Sequence, residues 1–456
     1  MGKSLSSLVV AAFCLVAAGV VTAQAQPQQE LTRRGALGVQ LAPGEGGVRV
    51  VAVTPSSTAD RAGLRADDVL TAVNGVPTPT TPEAVAVANG LRAGDRVQLA
   101  YRRGTEVRQA QTRAVARPLE TYSGAQARYG AVPFQGGLLR DILVTPDGAP
   151  ANGPVLYFIQ GYYCATIEGA TPDNPYRALV QGLAARGIAT YRVEKPGMGD
   201  SLGGPQCLTN DFTTELAAFR AGLTRLTETY GVDASRIVLF GHSMGGLQAP
   251  LLAAETDGLR GVAVMGTVVR SWHDYMIELM RVQSFFSNGM DPADGEELSE
   301  NMRPLLDRIF NERTALSTIA EENALYAGML NGLLNWDGGE QILFRDVSYW
   351  RQIGGLRLAR AWRGGDAPVL AMYGESDFAA IDARDHQLIV DIVNHYRPGT
   401  AQYTFLPRTG HGFGLEGTRA EAQAANRAAG GQATGAPFNP EVARVLADWI
   451  EALPAR

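Results

Sequence analysis

Between residues 155 and 265 the chain alternates short, continuously apolar runs with amphipathic stretches of helical period. Val155–Ile159, Ile188–Val193, Arg236–Phe240 and Leu259–Met265 are the apolar runs. Arg177–Arg186, Phe212–Thr229 and Leu247–Glu255 carry the helical pattern. A strand that is apolar on both faces needs cover on both, and a helix after each strand supplies it. The alternation therefore predicts an α/β domain with a mostly parallel sheet and helices on its two faces. The rhythm breaks at residue 267 and resumes at Pro368–Tyr373. It continues through a helix to Ile389–His395, a strand at Gln402–Leu406 and a last helix at Pro440–Leu453. Residues 267–365 show helical periodicity with frequent aromatics, among them Trp272, Trp336, Trp350 and Trp362. They are expected to form a helical cap inserted between 135–266 and 366–456.

The pattern G-x-S-x-G occurs twice, as Gly241-His242-Ser243-Met244-Gly245 and Gly199-Asp200-Ser201-Leu202-Gly203. Five residue positions make a weak signal, so context decides. The first lies between a strand pattern and a helix pattern. A sharp strand-to-helix turn exposes the serine hydroxyl, and side chains at the flanking glycines would collide with nearby backbone. The helix N-terminus that follows favours negative charge beside that serine. The second match runs into Gly203-Gly204-Pro205, which starts no helix, so Ser201 is expected in a loop after a strand.

A serine hydroxyl is a poor nucleophile without a base to take its proton. The chain has five histidines. His242 neighbours the serine and should point away from it. His273 falls in the insertion, and His386 and His395 fall on a helix. His411, in Thr409-Gly410-His411-Gly412-Phe413, follows a late strand, where the base comes in the chain order nucleophile, acid, base. The acid should stand between them at a strand's C-terminal end. Asp377 in Gly374-Glu375-Ser376-Asp377 is the choice, with Glu375, Asp382 and Asp385 as rivals.

Together these residues resemble the α/β-hydrolase superfamily over residues 135–456. The resemblance extends to Asp377, which matches the family's G-x-x-D. It also covers Glu194–Ser201, which is similar to the D-x-R-G-x-G-x-S loop, with Glu194, Lys195 and Pro196 as departures, and it implies a structural role for that loop and for Ser201. It implies acyl transfer through an acyl-serine, without metal or cofactor. Met244 would supply one oxyanion-hole N–H and Tyr162 the other. Gln160-Gly161-Tyr162 stands where the family usually has His-Gly-x.

Residues 34–117 alternate short apolar runs with turns. They resemble a PDZ domain through Gly35-Ala36-Leu37-Gly38-Val39, Pro55-Ser56-Ser57-Thr58-Ala59, Ala62-Gly63-Leu64, Asp67-Asp68-Val69-Leu70 and Val73-Asn74-Gly75. The resemblance implies capture of a peptide C-terminus, with its carboxylate held by the loop Ala36, Leu37, Gly38, Val39. The alternative is a PDZ fold used only for packing. Residues 118–134, with few apolar side chains and Gly124, Gly130 and Pro133, are expected to be a linker.

Residues 1–25 have the form of a secretory signal peptide: Lys3, an apolar run from Leu5 to Val21, and the cleavage site Ala23-Gln24-Ala25; the alternative is an uncleaved membrane anchor, since the run approaches the length of a span. Removal of the signal predicts a periplasmic or secreted protein without a stable membrane span. Two cysteines then remain, Cys164 and Cys207, an even pair that predicts a disulfide in an oxidising compartment. The net charge of −6 gives no electrostatic case for nucleic acid or anionic membrane as partner. No metal-ligand spacing of His and Cys is present. Lys195 is the single lysine after the leader, which reads as a composition bias toward arginine.

Three functions remain. The first is an exported serine hydrolase acting on small carboxylic esters. The second is a serine peptidase or aminopeptidase, with Glu278, Glu296 and Glu297 as candidate holders of a substrate amine. The third is a peptide-binding scaffold with an inactive hydrolase domain.

Overall fold

Every side chain of Val155–Ile159, Ala189–Val193, Ile237–His242, Gly261–Met265 and Val369–Gly374 is buried. Such runs can sit only in the interior of a sheet covered on both faces. The computed structural model describes residues 31–169, 171–429 and 435–454. The expected signal peptide at 1–25 lies outside these residues. The large sheet has eight strands in the order Ala401–Leu406, Val369–Gly374, Gly261–Met265, Ile237–His242, Val155–Ile159, Ala189–Val193, Gly137–Pro146 and Ala125–Phe134. The first six are parallel, and the last two join as an antiparallel hairpin.

Helices cover both faces. Pro175–Ala184 starts on the side-chain cap of Asn174, has proline in its first turn, and packs with Pro440–Ala452 against one face. Phe212–Thr224, Gly245–Ala254 and Arg384–Tyr396 cover the other. The cap runs from Trp272–Asn288 to Leu358–Arg363, and its Met302, Leu305, Ile309 and Trp350 continue that second core. Within it, Gln341–Ile342 and Arg345–Asp346 form a short hairpin that the helical periodicity does not show.

The linker expected at 118–134 is a correction. Residues Ala125–Phe134 pair along their length with Gly137–Pro146. The two-residue turn between them, Gln135-Gly136, has both φ angles positive (43° and 77°), as a tight hairpin requires. Glu120, also in the expected linker, is buried and forms a bidentate pair with fully buried Arg192, at 2.6 and 3.3 Å. This segment belongs to the α/β domain.

The N-terminal sheet runs in the order Val39–Gly44, Gly47–Val53, Val69–Val73, Arg96–Arg103, Glu106–Arg113, flanked by helix Thr81–Asn89. Val48, Val50, Leu70, Val73, Ala84 and Leu99 form its core. Its link to the α/β domain is polar. The Asp200 carboxylate accepts from the Arg34 N–H at 2.7 Å, from Arg33 Nη1 at 2.5 Å and from Arg140 Nε at 3.0 Å. Arg92 donates to the carbonyls of Asp200 and Ser201. The expected structural role of Ser201 is visible here: its hydroxyl accepts from the Arg140 N–H at 3.1 Å.

Candidate active site

Strand Ile237–His242 ends at Ser243, whose φ is +56°, and helix Gly245–Ala254 begins two residues later. A left-handed backbone is uncommon for a residue with a side chain and is tolerated where its surroundings enforce it. Here the enforcement is backbone packing. A Cβ on Gly241 would fall 2.4 Å from the Gly245 carbonyl oxygen, and one on Gly245 would fall 2.1 Å from that of Ile159. The Ser243 N–H donates to Met265 O at 2.9 Å. Met244 is the N-cap residue of the helix. Gly161 lies against Ser243: a Cβ there would sit 3.0 Å from Ser243 Cβ and 3.3 Å from Oγ.

Asp377 follows strand Val369–Gly374 and is fully buried. Its Oδ1 accepts from the Ala380 N–H at 2.8 Å. Both carboxylate oxygens lie 2.9 Å from His411 Nδ1. Burial raises the Asp377 pKa, but the His411 imidazole, the Ala380 N–H and His386 together outweigh it and hold the carboxyl below its ordinary range. Burial opposes charge on His411 as well, yet the Asp377 carboxylate carries its pKa above the ordinary value. The His411 side chain keeps 31% exposure, so solvent reaches it. A carboxylate only accepts, so Nδ1 carries the proton and Nε2 is left as the basic nitrogen. The His411–Asp377 pair flanks Gly266, next to the Met265 whose carbonyl binds Ser243: a Cβ on Gly266 would lie 2.9 Å from Asp377 Oδ2 and from His411 Nδ1.

His242 does point elsewhere. Its Nε2 donates to His411 O at 2.8 Å, and its Nδ1 accepts from the Tyr176 hydroxyl at 3.3 Å. Burial brings its pKa down to about 3, so it stays neutral and braces the backbone of His411. The rival acids are engaged elsewhere. Glu375 accepts from the Arg408 N–H, Asp382 from Arg384, and Asp385 from the N–H groups of Val269 and Arg270 and the Arg270 side chain. Of the acids considered for holding an amine, Glu278 and Glu296 both pair with Arg281.

Cys164 and Cys207 are disulfide-bonded with their Cα atoms 5.6 Å apart. The bond ties the segment after Val155–Ile159 to the one after Glu194–Ser201. At the N-terminal domain, the carbonyls of Ala36, Leu37 and Gly38 all turn inward, accepting from Thr58 Oγ1, the Ala59 N–H and the Thr54 N–H. Val39 opens the edge strand Val39–Gly44. Among the described residues no group of three or more His, Cys, Asp or Glu side chains is placed to hold a metal ion. Among them, too, no helix is long and apolar enough to cross a membrane.

Sequence reasoning passed over a buried group beside this site. Lys195 and Glu215, both fully buried, pair at 3.1 Å, and Arg345 joins the same carboxylate at 3.0 Å. Its one sequence signal is that Lys195 is the only lysine between residues 26 and 456.

The chain belongs to the alpha/beta hydrolase family, which it matches over residues 169–426, and its residues 35–113 match the PDZ domain. No curated protein matches it. Among solved structures it is similar to Est1E from Butyrivibrio proteoclasticus with ferulic acid bound, at 19% identity and a TM-score of 0.42, covering 65% of this chain and 95% of that one. It is also similar to proline iminopeptidase of Mycobacterium smegmatis, at 16% identity and a TM-score of 0.42, covering 71% and 98%. A third is an esterase of Pyrococcus furiosus, at 12% identity and a TM-score of 0.41, covering 65% and 87%.

Proposed function

We propose that this protein is an exported serine hydrolase that cleaves carboxylic esters through an acyl-serine intermediate. One observation carries the reading: Ser243 stands in a strained turn at a helix N-terminus, bonded to Met265 O, and the residue after Met265, Gly266, is flanked by a His411 whose Nδ1 is held by buried Asp377. In this reading His411 Nε2 takes the Ser243 proton as the hydroxyl attacks the ester carbonyl. It returns that proton to the leaving alcohol, then activates water to release the acid. Asp377 fixes the imidazole tautomer and stabilises the imidazolium. The N–H groups of Met244 and Tyr162 receive the developing oxyanion.

At the PDZ domain, the inward-turned carbonyls of Ala36–Gly38 favour an N–H face for a peptide carboxylate, beside an edge strand a peptide can extend. The disulfide supports an oxidising compartment, and with it the reading of residues 1–25 as a signal.

A fluorophosphonate should label wild type and not Ser243→Ala. Absence of label on wild type removes the enzyme and leaves the scaffold. The PDZ domain favours a second reading, a peptidase. Comparison of kcat/KM for short p-nitrophenyl esters and aminoacyl p-nitroanilides separates the two, and a preference for the anilides overturns the ester reading.

A further inference from the structure

The group around Lys195 is expensive to bury. Lys195, Glu215 and Arg345 are all at most 1% exposed, two cations share one carboxylate, and each ion gives up its hydration. Its contacts lead to the segment beside Ser243. Lys195 Nζ donates to the Gly161 carbonyl at 2.5 Å, and Arg345 Nη1 donates to the Tyr162 carbonyl at 3.0 Å. Glu215 also accepts from Gln248 Nε2, on the helix that starts at the Ser243 turn, and from the Tyr349 hydroxyl. Arg345 is fixed further by Asn210 Oδ1 at 2.7 Å and by the Tyr349 ring, 3.8 Å from its guanidinium carbon.

Peptide geometry converts these contacts into a direction. The Gly161–Tyr162 unit is planar and trans, so its C=O and N–H point opposite ways. A carbonyl fixed on Lys195 aims the Tyr162 N–H away from Lys195. A cation on the carbonyl also polarises that N–H and makes it a stronger donor. Arg345 fixes the next peptide in the same manner. Gly161 has no side chain to resist rotation, and a Cβ there would already lie 3.0 Å from Ser243 Cβ. If the unit turned over, a carbonyl oxygen would replace the donor.

We infer that Lys195 and Arg345, bridged by Glu215, are positioning residues that hold and polarise the oxyanion-binding peptide Gly161–Tyr162. The inference rests on the proposed role of Tyr162. It also gives the cap a part in catalysis, because Arg345 belongs to the cap hairpin.

Lys195→Met tests it and leaves Glu215 paired with Arg345. The substrate is whichever of the two sets wild type turns over, and kcat is counted per fluorophosphonate-labelled site so that misfolded chains drop out. The expected result is a kcat loss of roughly 10- to 100-fold with KM within about threefold, somewhat less than removal of an oxyanion donor outright. Affinity for a trifluoromethyl ketone, which binds serine as an oxyanion adduct, should fall by the same factor, and Lys195→Arg should recover part of both. Arg345→Met carries the same expectation if the first variant does not fold. An unchanged kcat and ketone affinity in a variant that labels overturns this inference alone. So does a variant in which fewer chains take label while kcat per labelled site stays at the wild-type value. A wild type that takes no label overturns the catalytic reading, and this inference with it.

Discussion

Replacing Gly245 by alanine would put a methyl group where the structure has backbone. The new Cβ would lie 2.1 Å from the Ile159 carbonyl oxygen, 2.8 Å from its carbon and 3.0 Å from the Gln160 oxygen. No side chain is there to rotate away. Bringing the closest contact even to about 3.0 Å requires helix Gly245–Ala254 and strand Val155–Ile159 to separate by about 0.9 Å, in a core close-packed on both sides. Overpacking of this kind costs about 1–3 kcal/mol and occasionally more. Rigid backbone on both sides places Gly245→Ala near the top of that range, about 3 kcal/mol. The same displacement moves Ser243 relative to Gly161–Tyr162, and a misplacement of about 1 Å costs roughly 100-fold in rate. Urea unfolding gives the first quantity, with an unchanged m value as the check that the end states are comparable. The second-order rate of fluorophosphonate labelling gives the second. Gly328→Ala is the control: Gly328 lies in helix Ala324–Gly332, and apart from its chain neighbours and its own helix backbone nothing lies within 4 Å of the new Cβ, so it should gain about 0.5–1 kcal/mol. If Gly245→Ala unfolds and labels like wild type, close backbone approach is not what requires glycine in this turn.

Burial holds His242 at a pKa of about 3 and His386 at about 4, below the ordinary 6.5. The unfolded chain binds protons there that the folded chain does not, so stability should fall as pH drops from about 6.5 toward 4, by up to about 1.4 kcal/mol per pH unit per histidine. His386→Gln should flatten that slope in urea titrations by one proton's worth, and an unaltered slope rules His386 out. Glu120→Ala leaves Arg192 buried without its carboxylate and should cost about 3–5 kcal/mol; a loss near zero would return residues 118–124 to the status of a linker. The Cys164–Cys207 bond spans 43 residues, so a Cys164→Ser, Cys207→Ser double variant should lose about 4 kcal/mol on the chain-entropy estimate. Detection of both thiols free in the non-reduced wild type would contradict the bond itself.

The interior strands were legible because their composition is dictated by burial on both faces: VLYFI at 155–159 and GVAVM at 261–265 have few alternatives. Ala125–Phe134 was not. It is an edge strand, exposed in part along its length, and an edge tolerates Gly130 and Pro133, residues that read as breakers in isolation. The turn at Ser243 announced itself because its glycines are needed locally. Asp377 could be ranked only by position and by its match to G-x-x-D, whereas in three dimensions the rivals Glu375, Asp382 and Asp385 each have another partner. Glu120 with Arg192, and Lys195 with Glu215 and Arg345, were invisible for a different reason. Ion pairs between residues 20 to 130 positions apart leave no periodic trace, and only burial distinguishes them from a solvated surface.

The isolation of Lys195 has a practical side. From residue 26 to residue 456 the chain contains one side-chain primary amine, and the folded protein seals it. Amine-directed cross-linkers and resins will find no lysine on the surface of these domains. Acylation at Lys195 therefore counts excursions in which the cap hairpin or its neighbours lift away. Its rate under native conditions is a built-in clock for that opening, readable by mass without adding a probe.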